Sequence, residues 1–172
     1  MRMCILILVG IAMVQLTSFG AGLPKVGDGA PDFSAMASDG TTVHLKDYIG
    51  KSNIVLYFYP KDDTPGCTTE ACSIRDNFDA FKGLNATVFG VSFDSVDSHK
   101  SFIAKYKLPF VLLADTDKAV AKLYGVADDS SKVAHRVTFV IDKAGKIAFV
   151  NPKVTPATHA AELRGVLANL PH

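Results

Sequence analysis

Cysteine is scarce in this chain, and its charge is balanced. Only three cysteines occur among 172 residues, and one of them, Cys4, lies in an apolar N-terminal stretch. Lysine and arginine total 18 against 17 acidic residues, and no cluster of basic residues stands out along the chain. Because a nucleic acid would find no basic patch to bind, the sequence predicts no nucleic-acid partner. Internal repeats, long linkers and low-complexity segments are also missing, as expected of one globular domain.

Candidate metal ligands are equally sparse. No pair at helical i, i+4 spacing occurs among His44, His99, His135 and His159. Cys67 and Cys72 are further apart than a usual metal-binding pair, and no second pair follows them. We interpret the adjacent acids Asp62 and Asp63 as loop residues that point to water. No pattern indicates a metal, haem or flavin, so no cofactor is predicted.

The N-terminal residues have the composition of a targeting segment. Arg2 supplies a positive start, residues 4–14 form an apolar core, and small residues precede Ala21 as signal peptidase requires. The apolar run is shorter than the roughly 20 residues that a membrane-spanning helix needs. We predict a signal peptide over 1–22, cleaved near 20–22, followed by one domain over 23–172; an uncleaved anchor is the alternative. The mature protein is then exported, to the periplasm if bacterial and otherwise to an extracytoplasmic space, without stable membrane association.

The most informative segment contains the two remaining cysteines. The apolar run Ile54–Tyr59 is typical of a buried strand, and Thr64 and Pro65 suit the N-cap and first position of a helix. Cys67 then lies in the first helical turn, where unpaired N–H groups and the helix dipole favour a thiolate. Cys72 follows five residues later, as a resolving cysteine follows a redox nucleophile. A structural disulfide or two free buried thiols is the alternative interpretation.

The rest of the sequence alternates between strand and helix patterns. After an extended stretch over 27–39, strands are predicted at 41–43, 54–59, 87–93, 110–114, 137–141 and 146–150. Helices are predicted as one turn at 45–48, a cysteine helix ending near Lys82 and Gly83, and further segments at 95–106, at 116–124 and from Thr155-Pro156 onward. Parallel crossovers followed by a closing hairpin predict an α/β domain of three layers, with a central mixed β-sheet flanked by helices.

Three segments together resemble the peroxiredoxins. The peroxidatic loop of that family is similar to the stretch Pro60-x3-Thr64-x2-Cys67. The bacterioferritin-comigratory-protein, or Q-type, subgroup is similar over Cys67-Thr68-Thr69-Glu70-Ala71-Cys72. The strand that carries the family's second active-site arginine matches Arg136–Asp142. The resemblance covers about 27–170 and implies a thioredoxin-like fold; one departure is Asn151-Pro152, where many relatives carry an aromatic residue.

The resemblance implies a role for each cysteine. Cys67 is expected to attack a peroxide as a thiolate and to become a sulfenic acid, and Cys72 to condense with it as a disulfide within the same chain. The implied activity is that of a thiol-dependent peroxidase acting on hydrogen peroxide and small organic hydroperoxides. A thioredoxin-like dithiol protein is the implied reductant.

Four further residues are implied to assist Cys67. Thr64 is expected to bond the thiolate and the peroxide, although it equally suits a helix cap, and Pro60 to shape the loop, although a turn proline would look the same. Arg136 is expected to favour the thiolate, its alternative being a surface arginine at a strand mouth. Glu70 is expected to hold the arginine, or else to be a solvated helix residue. His135 adjoins Arg136, and we expect it to be exposed.

Two other functions fit the sequence less well. An exported thioredoxin-like thiol–disulfide oxidoreductase would use a Cys-x-x-Cys pair and a proline where this chain has Val137. A non-enzymatic domain with one structural disulfide is the third interpretation. For the oligomeric state, both a monomer and a weak homodimer stay open.

Overall fold

A mixed β-sheet forms the centre of the domain. In a computed structural model the described residues are 22–171, so the predicted signal peptide and Cys4 lie outside them. Within that range the sheet has seven strands: β1 (Ser34–Ala37), β2 (Thr42–His44), β3 (Asn53–Phe58), β4 (Ala86–Ser92), β5 (Leu112–Ala114), β6 (Val137–Ile141) and β7 (Ile147–Asn151). Their order is β2-β1-β5-β4-β3-β6-β7, in which β3, β4 and β5 are parallel and the other pairs antiparallel.

Helices cover both faces of the sheet. They are α1 (Pro65–Asp76), α2 (Phe78–Gly83), α3 (Val96–Tyr106), α4 (Ala119–Leu123) and α5 (His159–Leu167), and a single 3-10 turn lies at Leu45–Asp47. Every residue of β3 is buried, and successive side chains enter two separate cores. Leu56 packs in the core under α4, whereas Tyr57 packs in the core under α1, α2, α3 and α5. The predicted three-layer α/β architecture is therefore confirmed. None of the helices in 22–171 has the length and apolar character to cross a bilayer.

Several predicted boundaries are wrong for local reasons. The predicted cysteine helix is divided at Asn77, whose side-chain amide donates to the Ser73 carbonyl and whose backbone leaves the helical region. α4 begins only at Ala119, because the Asp115 carboxylate binds the N–H groups of its first turn. α5 begins at His159 instead of Thr155-Pro156, after an intervening turn. The stretch predicted only as extended contains β1, which pairs with both β2 and β5.

The loop that joins β3 to α1 is held by a buried polar network. Asp62 was expected to face water, but its side chain is only 4% exposed and lies 2.8 Å from Nδ1 of the wholly buried His99. Tyr59 and Ser98 donate hydroxyl hydrogen bonds of 2.7 and 2.8 Å to the same carboxylate. Burial alone would raise the pKa of Asp62, but the hydrogen bonds from His99 and Tyr59 outweigh burial, and the pKa lies below its ordinary value. The network thereby ties the loop to α3.

Substitution of Asp62 tests the contribution of this network to stability. Asp62→Asn is expected to lower the free energy of unfolding at pH 7 by about 3 kcal/mol, because the buried His99 loses its carboxylate partner. Because folding lowers the pKa of Asp62, the extra stability of the wild type is complete at pH values above the pKa of Asp62 in the unfolded chain, about 3.9. This extra stability is lost as the pH falls through the pKa of Asp62 in the folded protein. Urea unfolding of both proteins at pH 7 and at a series of lower pH values measures the difference.

The matched control is Asp63→Asn. Asp63 has a left-handed backbone with φ of 57°, which asparagine tolerates, and its ion pair with Lys105 is exposed. This variant should unfold much as the wild type does. Equal losses in the two variants, or an Asp62→Asn loss that is the same at every pH, would contradict the role of the buried network.

Candidate active site

Cys67 lies at the start of α1, directly after the loop that leaves β3. Pro65 is the first helical residue, and Thr64 precedes it with extended backbone angles of −89° and 151°. Cys67 is therefore in the first turn, where backbone N–H groups lack helical partners. Its side chain is buried, with only 2% of the residue exposed. The sulfur is thus placed at the positive end of a helix, as the sequence predicted, and it is also shielded from bulk water.

Arg136 reaches Cys67 because of the pairing between two strands. β6 runs antiparallel to β3, and Val137 lies opposite Phe58. Arg136, one residue before β6, is therefore beside the end of β3 where the cysteine loop begins. Its Nη2 donates to the Cys67 sulfur over 3.1 Å. A Cβ atom at Gly66 would lie 3.4 Å from the same nitrogen, so the guanidinium also passes close to the backbone of α1.

Glu70 holds the other side of the guanidinium. It lies one turn after Cys67 on α1, is fully buried, and accepts a hydrogen bond from Nη1 of Arg136. Burial by itself would lower the pKa of Arg136, but the Glu70 carboxylate and the Cys67 sulfur raise it above its ordinary value. The arginine is therefore charged and fixed between a carboxylate and a thiol, and Glu70 is not a solvated surface residue.

Thr64 and Pro60 border the site without contacting its charged groups. The Thr64 hydroxyl donates to the Lys61 carbonyl over 3.0 Å and makes no side-chain capping bond. Its carbonyl accepts the first helical hydrogen bond, from the Thr68 N–H. Pro60 is half-buried and lines a surface depression with Phe93 and Val133. Thr64 is therefore the N-cap residue as predicted, but its side chain makes no capping hydrogen bond, because the hydroxyl donates to the loop instead.

Cys72 shares α1 with Cys67, and both are free thiols. Cys72 is half-buried on the next turns of the helix. Arg75 lies on the same stretch of helix and donates to the Tyr106 carbonyl over 2.7 Å. A hydrogen bond with Asp76 raises the pKa of Arg75, and the Cys72 thiol adds to that shift. In residues 22–171 no group of three or more His, Cys, Asp or Glu side chains is arranged to hold a metal ion.

Sequence reasoning missed two residues beside the site. His159, the first residue of α5, is fully buried with Nδ1 2.9 Å from Oε1 of Glu70. Tyr57 is also buried, and burial followed by the nearby Glu70 charge raises its pKa well above the ordinary value. The only sequence signal for His159 was its position near a helix start. His135, by contrast, is exposed as expected.

Comparison with known proteins identifies the family. Residues 26–150 match the model of the AhpC/TSA family. A putative peroxiredoxin bcp of Coxiella burnetii is 45% identical over 149 residues, which cover 83% of this chain and 98% of the relative.

Solved structures agree. A cysteine-to-serine mutant of PrxQ from Xylella fastidiosa superposes with a TM-score of 0.79 at 35% identity, covering 86% of this chain and 97% of that one. The bacterioferritin comigratory protein of Xanthomonas campestris, described for its alkyl peroxide reduction activity, gives a TM-score of 0.76 at 32% identity over 84% of this chain and 96% of that one. The expected thioredoxin-like fold is therefore confirmed, and the thiol–disulfide oxidoreductase alternative is not favoured. This chain belongs to the AhpC/TSA family and is a thiol-dependent peroxidase of the Bcp and Q peroxiredoxin type.

Proposed function

We propose that Cys67 is the peroxidatic cysteine and that Arg136 activates it. The observation that carries this assignment is the 3.1 Å contact between Nη2 of Arg136 and the Cys67 sulfur. A guanidinium cation at this distance favours the thiolate over the thiol, and the helix N-terminus acts in the same direction. Both effects are strong here because the sulfur is shielded from water. A charge interaction inside the protein is screened less than one in water.

The proposed first step is attack of the thiolate on a peroxide. The Cys67 sulfur forms a bond to the terminal oxygen while the O–O bond breaks, giving a sulfenic acid. The departing oxygen leaves as water or an alcohol after taking up a proton, and Arg136 stabilises the negative charge that develops on it. Glu70 keeps the guanidinium in place for this purpose. Thr64 would bond the peroxide once its hydroxyl leaves the Lys61 carbonyl.

The proposed second step consumes the sulfenic acid. The Cys72 sulfur attacks the Cys67 sulfur, an S–S bond forms, and the hydroxyl group departs as water. A thioredoxin-like dithiol protein then reduces this intrachain disulfide by exchange, and its own two thiols become a disulfide. Hydrogen peroxide and small organic hydroperoxides are the proposed substrates. The relative from Xanthomonas supports the organic class, since its structure was determined in connection with alkyl peroxide reduction.

Serine substitutions separate the two steps. Cys67→Ser should abolish peroxide consumption with little change in stability, because a buried cysteine is replaced by a residue of similar size. Cys72→Ser should consume about one peroxide per chain and accumulate sulfenic acid, which a dimedone adduct detects by mass spectrometry. Turnover is measured with hydrogen peroxide and a thioredoxin system.

The outcomes discriminate between the functions considered. Near-normal turnover by Cys67→Ser would remove this residue as the nucleophile. Normal intrachain disulfide formation cannot occur in Cys72→Ser, so undiminished multiple turnover there would show that another thiol resolves the sulfenic acid. A wild-type chain that consumes no peroxide but reduces disulfide substrates would favour the oxidoreductase alternative.

The geometry of α1 imposes a conformational change on the second step. Residues five apart in an α-helix are separated by a rise of about 7.5 Å and a rotation of about 140°. Their Cα atoms are then roughly 8.7 Å apart. A disulfide tolerates about 4.4–6.8 Å. Because α1 contains both Cys67 and Cys72, the disulfide requires this helix to unwind.

Hydrogen exchange tests this requirement. Amides over 68–73 should lose protection in the oxidised protein, while those of β3 and β4 keep it, because the sheet does not depend on the start of α1. Mass spectrometry of reduced and peroxide-treated protein measures both regions in one experiment. Equal protection of 68–73 in the two forms, with the disulfide present, would show that the second step uses another geometry.

The location of the enzyme is a separate proposal. We propose that residues 1–22 are a signal peptide and that the exported domain comprises 23–172, as a monomer or weak homodimer without stable membrane association. The support is the charge and apolar pattern of the N-terminal residues. Mass spectrometry of the protein recovered from the extracytoplasmic fraction would find a first residue near 21–23. Intact chains retained in the membrane would favour the anchor.

A further inference from the structure

A buried histidine extends the row of charged groups that begins at Cys67. The Nδ1 atom of His159 lies 2.9 Å from Oε1 of Glu70, whose other oxygen binds Arg136. Both His159 and Glu70 are 0% exposed. The contact joins α5 to α1, two helices that pack against each other. Cys67, Arg136, Glu70 and His159 therefore form one continuous row, and the reaction described above assigns no role to the last member.

The row is unbalanced unless His159 carries a proton on both nitrogens. The attacking thiolate and the Glu70 carboxylate are two negative charges, whereas Arg136 supplies one positive charge. An uncompensated charge in a buried site is costly. An imidazolium at His159 brings the total to zero at the moment when Cys67 must be ionised.

The geometry of the contact favours charge over hydrogen bonding. Nδ1 of His159 and Oε1 of Glu70 have the distance of an ion pair but lack the angles of a hydrogen bond, and Nε2 has no hydrogen-bond partner among residues 22–171. A neutral imidazole would gain little from such an approach, whereas the attraction between an imidazolium and a carboxylate does not depend on those angles. Tyr57 on β3 is a further titratable group that faces His159, with ring centroids 6.4 Å apart. Its pKa is raised by burial, so Tyr57 stays neutral and does not compete.

We propose that His159 is a positioning residue of the peroxidase site, whose imidazolium neutralises Glu70 and so leaves the full charge of Arg136 to stabilise the Cys67 thiolate. The inference rests on the proposed role of Cys67. The proposal gives α5, which is remote from the cysteine loop in sequence, an influence on the reactivity of Cys67 through Glu70 and Arg136.

Charge rescue tests the proposal. His159→Gln removes the positive charge, and it should move the thiolate absorbance titration of Cys67 to higher pH by about one unit. The rate constant for peroxide should fall at pH values below the titration midpoint, by up to about tenfold. Adding Glu70→Gln should restore most of both quantities, because the carboxylate is gone while an amide oxygen still accepts from Arg136. Stopped-flow single turnover measures the rate, and thermal unfolding of each variant reports stability.

The control variant is His135→Gln, which alters an exposed histidine next to Arg136 and should leave titration and rate unchanged. If His159 only fills space, the double variant will be no faster than His159→Gln and its stability will fall further. That result, or an unshifted titration in His159→Gln, overturns the proposal. If Cys67 were not the peroxidatic residue, the titration of Cys67 would still shift in His159→Gln while the rate constant for peroxide stayed at the wild-type value, so the two failures are distinguishable.

A second measurement avoids any variant of His159. Imidazole nitrogen chemical shifts of the reduced protein should show both nitrogens of His159 protonated near pH 7. In Cys67→Ser, which lacks the thiolate, His159 should lose a proton at a lower pH, because coupling between charges is reciprocal. A neutral His159 in the reduced wild type would refute the charge argument.

Discussion

The contact between Arg136 and the Cys67 sulfur depends on two unrelated parts of the fold meeting at one point. The arginine arrives because β6 pairs with β3 in a register that sets Val137 opposite Phe58. The cysteine arrives because β3 is followed by a short loop and a helix that begins at Pro65. A shift of one residue in the strand pairing would direct Arg136 away from the sulfur. The central sheet is thus what positions a cation against a buried thiol.

The same helix serves two opposed requirements. In the reduced state α1 presents Cys67 to its N–H groups and to Arg136, and its hydrogen bonds hold Cys72 at a distance. In the proposed disulfide state that helix cannot persist around the cysteines. The network of Asp62 and His99 fixes the loop on one side of α1, and the row through Glu70 to His159 fixes the helix to α5 on the other. The anchor at Asp62 precedes the segment that must rearrange, whereas Glu70 lies within that segment, so unwinding would also disturb the contact between Glu70 and His159.

Local patterns predicted much of this molecule. The apolar runs of β3 and β6 and the Thr-Pro start of α1 were recognisable because strand burial and helix initiation depend on neighbouring residues. The proximity of Arg136 to Cys67 came from the family resemblance, since no local pattern specifies strand pairing. Asp62 was misjudged because its partner His99 lies on α3, far along the chain. The contact of His159 with Glu70 was missed for the same reason, and the break at Asn77 because one side chain competes with the helix backbone.

The central claim is that the Arg136 guanidinium makes Cys67 a thiolate, and a thiolate absorbance titration of three proteins tests it most directly. Arg136→Ala should move the midpoint of the Cys67 titration to higher pH, because the cation is lost while the buried Glu70 carboxylate remains one turn away on α1. Arg136→Lys should recover only part of the shift, since an ammonium lacks the planar fork that contacts both Cys67 and Glu70. Cys72→Ser in every protein leaves Cys67 as the only thiol within residues 22–171. Titration curves that coincide in the wild type and Arg136→Ala would contradict the account.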